Sequence, residues 1–196
     1  MLLINKNEKL STEIARLRKL GKKINFVPTM GNFHAGHESL FKKSQNKNDI
    51  CVVSIFVNPL QFEDNVDFIN YPRTLEYDKK ILLKEKVDIL FLPDKKFLND
   101  KKISINLGKI SKKLCGEFRK GHFEGVAIVI IRFLELINPD YIFLGEKDFQ
   151  QTLIVKKIIK DFKFKAKAKI FPTIRDKKEL ALSSRNKLIK NKHLLT

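Results

Sequence analysis

Short apolar runs alternate with longer amphipathic segments along most of this chain. Compact apolar and β-branched runs bounded by turn residues predict buried strands, whereas apolar residues three or four positions apart predict helices. The predicted strands are residues 24–27, 50–57, 87–92, 103–107, 141–144 and 167–171. The predicted helices are residues 10–20, 39–46, 75–86, 126–137 and 149–162, with a short amphipathic turn at 110–114.

The order of these elements predicts the fold. Helices that alternate with largely apolar strands are typical of a mostly parallel sheet with helices on both faces. We therefore predict an α/β fold, doubly wound and Rossmann-like, and the 196 residues fit one domain. In such sheets a ligand binds beyond the carboxyl ends of the strands. Polar clusters follow the predicted strands at 28–37, 58–62, 145–151 and 173–186, and we expect them to meet at one edge of the sheet.

Composition narrows the classes of partner. Apolar residues make up 43% of the chain and 16 residues are Phe, so we expect a packed core despite 32% charged residues. The formal charge of +18 raises nucleic acid as a partner, but only seven of the 40 basic residues are Arg, which leaves 33 Lys. Because Arg is the residue that contacts phosphates and bases bidentately, we expect no specific nucleic-acid partner, with weak polyanion binding as a by-product.

The spacing of the cysteines and the sequence at the start of the chain indicate the cellular compartment. Cys51 and Cys115 lack CxxC spacing, so we expect neither a zinc site nor a disulfide framework. The start MLLINKNEKL lacks the long apolar stretch of a signal peptide, and no run of 18 apolar residues occurs. We expect a cytoplasmic protein without a membrane partner.

The segment PTMGNFHAGH, residues 28–37, runs from a predicted strand into a predicted helix. Gly31 and Gly36 allow close approach of the backbone to a ligand, and the N-terminus of the following helix favours phosphate. His34 and His37 are potential donors to phosphate oxygens, most effective as cations when charge builds on a leaving pyrophosphate. The alternative is that one His caps the helix and the other is a satisfied surface or core residue.

Several segments in order resemble one family of enzymes. Residues 34–37, HAGH, are similar to the HIGH-type signature of nucleotidyltransferases, and PTMGNFHAGH resembles that of pantothenate synthetases (pantoate–β-alanine ligases). The further similar segments are FVNPLQF at 56–62, YPRT at 71–74, GHFEGV at 121–126, GEKDFQQ at 145–151 and SSRN at 183–186.

The resemblance implies a two-step reaction. Pantoate attacks the α-phosphate of ATP, accompanied by Mg²⁺, to give pantoyl adenylate and pyrophosphate, and the amine of β-alanine then displaces AMP. It also implies a homodimer, and residues 1–186 as the Rossmann-like domain that binds ATP and pantoate. Other HIGH-type adenylyltransferases, and a non-enzymatic relic or polyanion-binding module, are the alternative functions.

The resemblance also assigns the site residues. Catalytic roles fall to His37, His34 and Lys147, pantoate contacts to Gln61 and Gln151, and a β-alanine contact to Gln61. The residues assigned to ATP are Met30, Gly31, Asn32, Phe33, His34, Ala35, Gly36, His37, Gly145, Glu146, Lys147, Asp148, Ile174, Leu182, Ser183, Ser184 and Arg185. Taken alone, a loop Gln and a Glu-Lys-Asp turn are more often solvated loops than sites. The Ser-Ser-Arg tripeptide alone is equally compatible with a helix N-cap followed by a surface Arg. Arg119 and His122 remain open between ligand contact and structure.

Departures from the family pattern set further expectations. Leu182 replaces a usual Met, and Glu179 replaces a usual Gly, which reaches left-handed turn conformations at low cost. We therefore expect the 173–186 segment to lie differently. The family continues with a domain that closes over the site, so residues 187–196 are expected to begin that lid. A lidless chain is expected to bind substrates with weak or uncoupled synthesis.

Overall fold

The protein is described from a computed structural model, which covers residues 1–98 and 104–186. Its strands are β1 (Leu2–Ile4), β2 (Lys23–Thr29), β3 (Asp49–Ile55), β4 (Ile89–Phe91), β5 (Tyr141–Gly145) and β6 (Lys167–Phe171). Its α-helices in these ranges are α1 (Asn7–Lys19), α2 (Ala35–Ser44), α3 (Asn65–Asn70), α4 (Leu75–Lys84), α5 (Cys115–Phe118), α6 (His122–Ile137) and α7 (Phe149–Asp161). Short 3-10 turns span Pro59–Gln61, Lys95–Leu98, Gly108–Ser111 and Glu146–Asp148.

The strands form one parallel sheet in the order β1-β4-β3-β2-β5-β6. From β2 the chain moves outward through β3 to β4, then returns to place β5 on the other side of β2. The pairs Asn25–Tyr141 and Phe26–Ile142 set the register of β2 against β5. Loops that leave the carboxyl ends of these two strands diverge to opposite sides, and this opens a crevice there.

Helices cover both faces of the sheet, as predicted. Alternate strand residues point to opposite faces, so Phe26 and Ile142 pack with α1, α6 and α7, whereas Val27 and Phe143 pack with α2 and α4. The first face also holds a cluster of aromatic rings, namely Phe26, Phe56, Phe91, Phe97 and Phe133. Both layers are apolar, which explains why the strand sequences contain nearly continuous hydrophobic runs.

The predicted elements differ from the structure in a few places. Residues 104–107 are not a strand, because Asn106 accepts a hydrogen bond from the Gly108 N–H at 2.9 Å and turns the chain there. The first residue of that predicted strand, Ile103, lies outside the described ranges. Helix α6 begins at His122, four residues earlier than predicted, directly after Gly121 with φ 76°. The short strand β1 and the short helices α3 and α5 were not predicted.

Candidate active site

The crevice between β2 and β5 forms a cleft of about 230 Å³. All four polar clusters that were expected to meet at this edge contribute to its lining. The predicted site residues that line it are Met30, His34, Gly36, His37, Gln61, Gly145, Lys147, Asp148, Gln151, Ile174, Leu182, Ser183, Ser184 and Arg185. Gly31, Asn32, Phe33, Ala35 and Glu146 do not line it.

His34 and His37, which we call the imidazole pair, lie where β2 leads into α2. Their ring centroids are 4.1 Å apart. The Gly36 N–H donates to His34 Nδ1 at 3.1 Å, and the His34 N–H donates to His37 Nδ1 at 3.4 Å. Because Nδ1 accepts in both rings, a neutral imidazole carries its proton on Nε2. Both rings therefore cap the helix and keep an Nε2–H donor, so the capping role is compatible with ligand binding.

The environment holds the imidazole pair neutral. Burial, followed by His34 and Lys147, lowers the pKa of His37 to about 3. Burial and then Lys147 also lower the pKa of His34. The lowered pKa values favour the neutral form of both rings, and the positive charge of Lys147 contributes to this. The expectation of cationic imidazoles concerns the departure of pyrophosphate and stays a prediction. In this neutral form each ring presents one Nε2–H donor.

Asp78 is a site residue that the sequence reasoning missed. Its carboxylate, on α4, accepts hydrogen bonds from the Asn32 N–H and the Phe33 N–H, both at 2.9 Å. The loop before the imidazole pair is thereby fixed from behind, and this explains why the Asn32 and Phe33 side chains are buried instead of facing the cleft. The available signal was an acidic residue on the apolar side of a predicted helix, between Leu75 and Leu82.

The turn after β5 places Lys147, Asp148 and Gln151 on the opposite wall. Lys147 Nζ lies 2.8 Å from the Asp148 carboxylate. Gln151 follows in the first turn of α7 and faces the same cleft. A cation, a carboxylate and an amide are thus grouped opposite the imidazole pair, an arrangement that suits an anionic ligand with hydroxyl groups.

Gln61 is held by its neighbours in a fixed orientation. Its Oε1 accepts from Asn58 at 3.1 Å, and its Nε2 lies 3.0 Å from Met30 Sδ. The backbone oxygen of Gln61 accepts from His122 Nδ1 at 2.6 Å, so His122 helps to hold this turn, and it also lines the cleft. Helix α6 also packs backbone to backbone here, because a Cβ at Gly125 would lie 2.1 Å from the Leu60 carbonyl oxygen.

The segment Ser183–Arg185, which we call the serine loop, lies against the imidazole-pair loop. Ser184 Oγ donates to the Asn32 carbonyl at 3.0 Å, and Asn32 Nδ2 donates to the Ser184 carbonyl at 2.9 Å. Arg185 pairs with Asp67 at 2.9 Å and lies over the Tyr71 ring at 5.1 Å. The guanidinium is therefore partnered by a carboxylate and an aromatic ring.

A tight turn at 175–181 precedes the serine loop. Glu179 adopts φ 62°, the left-handed conformation that favours glycine. Arg175 donates to the Glu179 carbonyl at 2.8 Å, and Asp176 Oδ1 accepts from the Leu180 N–H at 3.0 Å. The replacement of Gly by Glu179 is thus accommodated as backbone strain, with these hydrogen bonds holding the turn.

Arg119 also lines the cleft, and its guanidinium has no hydrogen bond or ion pair within residues 1–98 and 104–186. Burial and then the nearby Arg185 lower its pKa. An unpaired, half-buried cation beside a second Arg favours a bound anion. The sequence left this residue open, and its placement in the cleft, which it shares with Arg185, distinguishes it from the other five arginines.

Comparisons with known proteins identify one family. A family model described as Pantoate-beta-alanine ligase matches residues 2–194. The pantothenate synthetase of Sulfurihydrogenibium sp. is 44% identical over 96% of this chain and 68% of its own length. That of Caldicellulosiruptor saccharolyticus is 42% identical over 95% of this chain and 67% of its own. The chain thus spans about two thirds of these curated relatives.

Solved structures give the same result. The Francisella tularensis pantoate-beta-alanine ligase, crystallised with beta-gamma ATP and beta-alanine, has a TM-score of 0.93 and 40% identity, covering 97% of this chain and 74% of that one. Pantothenate synthetase from Thermus thermophilus has a TM-score of 0.91 and 35% identity, covering 99% and 70%. The fold, the cleft and both sequence comparisons together establish that this chain belongs to the pantoate-beta-alanine ligase family.

Proposed function

We propose that the protein is a pantothenate synthetase that condenses pantoate with β-alanine at the expense of ATP. Membership of the family supports this function, as does the relative crystallised with an ATP analogue and β-alanine. The observation that carries the proposal is the meeting of the imidazole pair, Lys147, Gln61 and Gln151 in one cleft.

ATP occupies the side of the cleft formed by the imidazole pair, the 145–148 turn and the serine loop. The Nε2–H groups of His34 and His37 donate to phosphate oxygens, and Lys147 neutralises phosphate charge. Ile174 and Leu182 border the same region and provide apolar contact for adenine. Arg185 reaches phosphate by exchanging its contact with Asp67 for a ligand oxygen.

Pantoate lies between Gln61 and Gln151. A carboxylate oxygen of pantoate attacks the α-phosphorus, and the bond to the bridging oxygen breaks so that pyrophosphate leaves with the electron pair. Since the substrate supplies the nucleophile, the protein contributes positioning and stabilisation of charge. In the second step the β-alanine amine attacks the acyl carbon of the adenylate, loses a proton and displaces AMP.

Mg²⁺ fits this cleft as a companion of the triphosphate. Within the described ranges no group of three or more His, Cys, Asp or Glu side chains is arranged to hold a metal ion. Asp148 is the carboxylate on the cleft wall, and Mg²⁺ is commonly bound by one or two carboxylates together with substrate phosphates. When bound, the ion would neutralise phosphate charge.

The proposal includes residues 1–186 as the ATP- and pantoate-binding domain, a homodimer and a cytoplasmic location. The expected beginning of a lid at 187–196 lies outside the described ranges. In the described part of the chain no helix has the length and apolar character needed to cross a membrane.

Exchange of labelled pyrophosphate into ATP tests the proposal. We expect exchange that depends on pantoate, because formation of the adenylate is reversible. Nicotinamide mononucleotide and phosphopantetheine serve as control substrates for other HIGH-type adenylyltransferases. Exchange with either of these but not with pantoate would contradict the proposed function, and salt-sensitive polyanion binding without ATP affinity would indicate a binding module.

A further inference from the structure

Asp78 is a buried carboxylate with an unusual set of partners. The residue is 1% exposed and lies in the first turn of α4. Its oxygens accept from the Asn32 and Phe33 N–H groups at 2.9 Å, and from Thr74 Oγ at 3.2 Å. No salt bridge to Asp78 occurs within the described ranges. Its charge is therefore compensated by hydrogen bonds and by the positive end of a helix.

The loop that Asp78 contacts has strained backbone geometry. Gly31 has φ 80° and Asn32 has φ 52°, so two consecutive residues are left-handed. A Cβ at Gly31 would lie 3.0 Å from Asp78 Oδ2 and 3.1 Å from Ile55 Cγ2, which shows how closely the loop is packed. Such conformations persist only where surrounding contacts fix them, and here two charge-assisted hydrogen bonds do so.

Both groups expected at the phosphates depend on this loop. His34 follows Phe33 directly, and the His34 N–H is the donor to His37 Nδ1. On the other side, the Asn32 carbonyl and side-chain amide hold Ser184. One carboxylate thus fixes the backbone from which the imidazole pair and the serine loop are both positioned.

We propose that Asp78 is a positioning residue for adenylation, which holds the imidazole pair and the serine loop in register through the backbone of Asn32 and Phe33. This inference rests on the proposed function. Asp78 acts through other residues, and it does not itself line the cleft. Loss of the carboxylate should therefore impair the chemical step more than it impairs pantoate binding.

The test compares Asp78→Asn with Glu85→Gln in the 196-residue chain. Glu85 is a matched control, since it is 8% exposed, follows the same helix and pairs with Lys42 and Lys84 away from the cleft. In Asn, one carboxylate oxygen is replaced by an NH₂ group and the negative charge is lost, so the side chain can no longer accept hydrogen bonds from both backbone N–H groups. We therefore expect Asp78→Asn to lower kcat for pyrophosphate exchange by about 10-fold or more. The KM for pantoate should change less than about twofold, and Glu85→Gln should leave kcat within about twofold.

A folded Asp78→Asn variant with wild-type kcat would overturn the proposal, as would an equal loss in Glu85→Gln. If Asp78→Asn does not fold, Thr74→Val decides, because it removes the hydroxyl that lies 3.2 Å from the Asp78 carboxylate and 3.4 Å from Asn32 Oδ1 on the same loop. We expect about a threefold loss of kcat there, and an unchanged kcat would contradict the inference.

Imidazole NMR separates this inference from the proposed function. Long-range ¹⁵N–¹H spectra identify the tautomer of each ring without any substrate. We expect Nε2–H tautomers for His34 and His37 in the wild type and a mixed or shifted pattern in Asp78→Asn. An unchanged spectrum would refute positioning by Asp78, whereas a wild type that lacks pantoate-dependent exchange would refute the proposed function alone.

Discussion

The imidazole-pair loop and the serine loop, which the proposed function assigns to the phosphates of ATP, are held in different ways. The imidazole-pair loop is fixed by the buried Asp78 through two backbone hydrogen bonds of 2.9 Å. The serine loop depends on Ser184 and on the Arg185–Asp67 pair, whose side chains are 37% and 41% exposed. Exposed ion pairs contribute roughly 0–1 kcal/mol and exchange with solvent, whereas buried charge-assisted bonds maintain geometry. We call the imidazole-pair loop the preformed wall. We call the Arg185 end of the serine loop, beyond the contact of Ser184 with Asn32, the adjustable wall.

The largest effect is expected from His37→Ala, which removes a donor from the preformed wall. We expect kcat for pantoate-dependent exchange to fall by about 10²–10³, the usual cost of losing one donor to developing charge. Gln61→Ala should instead raise chiefly the KM for pantoate. Steady-state exchange kinetics of both variants check this, and unchanged exchange in both would refute the site.

Gly31→Ala probes the strain of the same wall. A left-handed alanine and a Cβ 3.0 Å from Asp78 Oδ2 should together lower the free energy of unfolding by about 2 kcal/mol. Gly21→Ala is the matched control, because Gly21 has φ 73° but a Cβ there meets nothing within 4 Å. Urea unfolding should show about half the cost in the control, and equal costs would indicate that packing against Asp78 is unimportant.

The pH dependence of stability tests whether the preformed wall holds its imidazole neutral. The unfolded chain binds a proton at His37 near pH 6.5, whereas the folded state does so only near pH 3. The stability contributed by neutral His37 is therefore complete above pH 6.5 and is lost as the pH falls towards 3. The slope is at most about 1.4 kcal/mol per pH unit for one proton. Urea midpoints of wild type and His37→Asn should differ in slope, and parallel curves would contradict the depressed pKa.

Substitutions in the adjustable wall should change the free energy of unfolding only slightly but should change the KM for ATP clearly. A double-mutant cycle of Asp67→Asn and Arg185→Gln is expected to give a coupling of about 0.2–1 kcal/mol in unfolding. Arg185→Gln should raise the KM for ATP while Asp67→Asn has a smaller effect, since the guanidinium must leave Asp67 to contact phosphate. A coupling well above this range would show that this wall is as fixed as the other.

An effect on stability of similarly small size, without an effect on ATP binding, is expected at the turn before the serine loop. Glu179→Gly relieves the left-handed strain but increases the entropy of the unfolded chain, so the gain should be only about 0.5–1 kcal/mol. Lys178→Gly, one position earlier, is the control and should not stabilise. Thermal unfolding distinguishes the two, and a loss of stability in Glu179→Gly would show that the turn is unstrained.

The sequence predicted those parts of the molecule that depend on local pattern. The strands from β2 to β6, the parallel sheet and the 28–37 segment follow from short stretches whose residues interact with near neighbours. Asp78 could not be found in this way, because its partners at Asn32 and Phe33 are more than 40 positions distant. Likewise, the protonation of the imidazole pair depends on burial and on Lys147, which only the folded chain brings near.

Some elements were missed for a different physical reason. Strand β1 has only three residues, and its pairing with β4 stabilises an extended segment that lacks a periodic pattern of its own. Residues 104–107 have strand-like composition, yet Leu107 reaches the core from a loop. In both cases tertiary packing outweighs intrinsic preference.

The contact between Gly125 and the Leu60 carbonyl links the position of Gln61 to thermal motion of α6. A backbone contact with no intervening side chain has no rotamer that can absorb motion, so displacement of α6 passes directly to the turn that carries Gln61. A shift of about 1 Å in a positioning group can cost about 100-fold in rate. Heating should therefore weaken the proposed binding of pantoate at Gln61 before any loss of helical signal, because motion of α6 displaces the turn that carries Gln61.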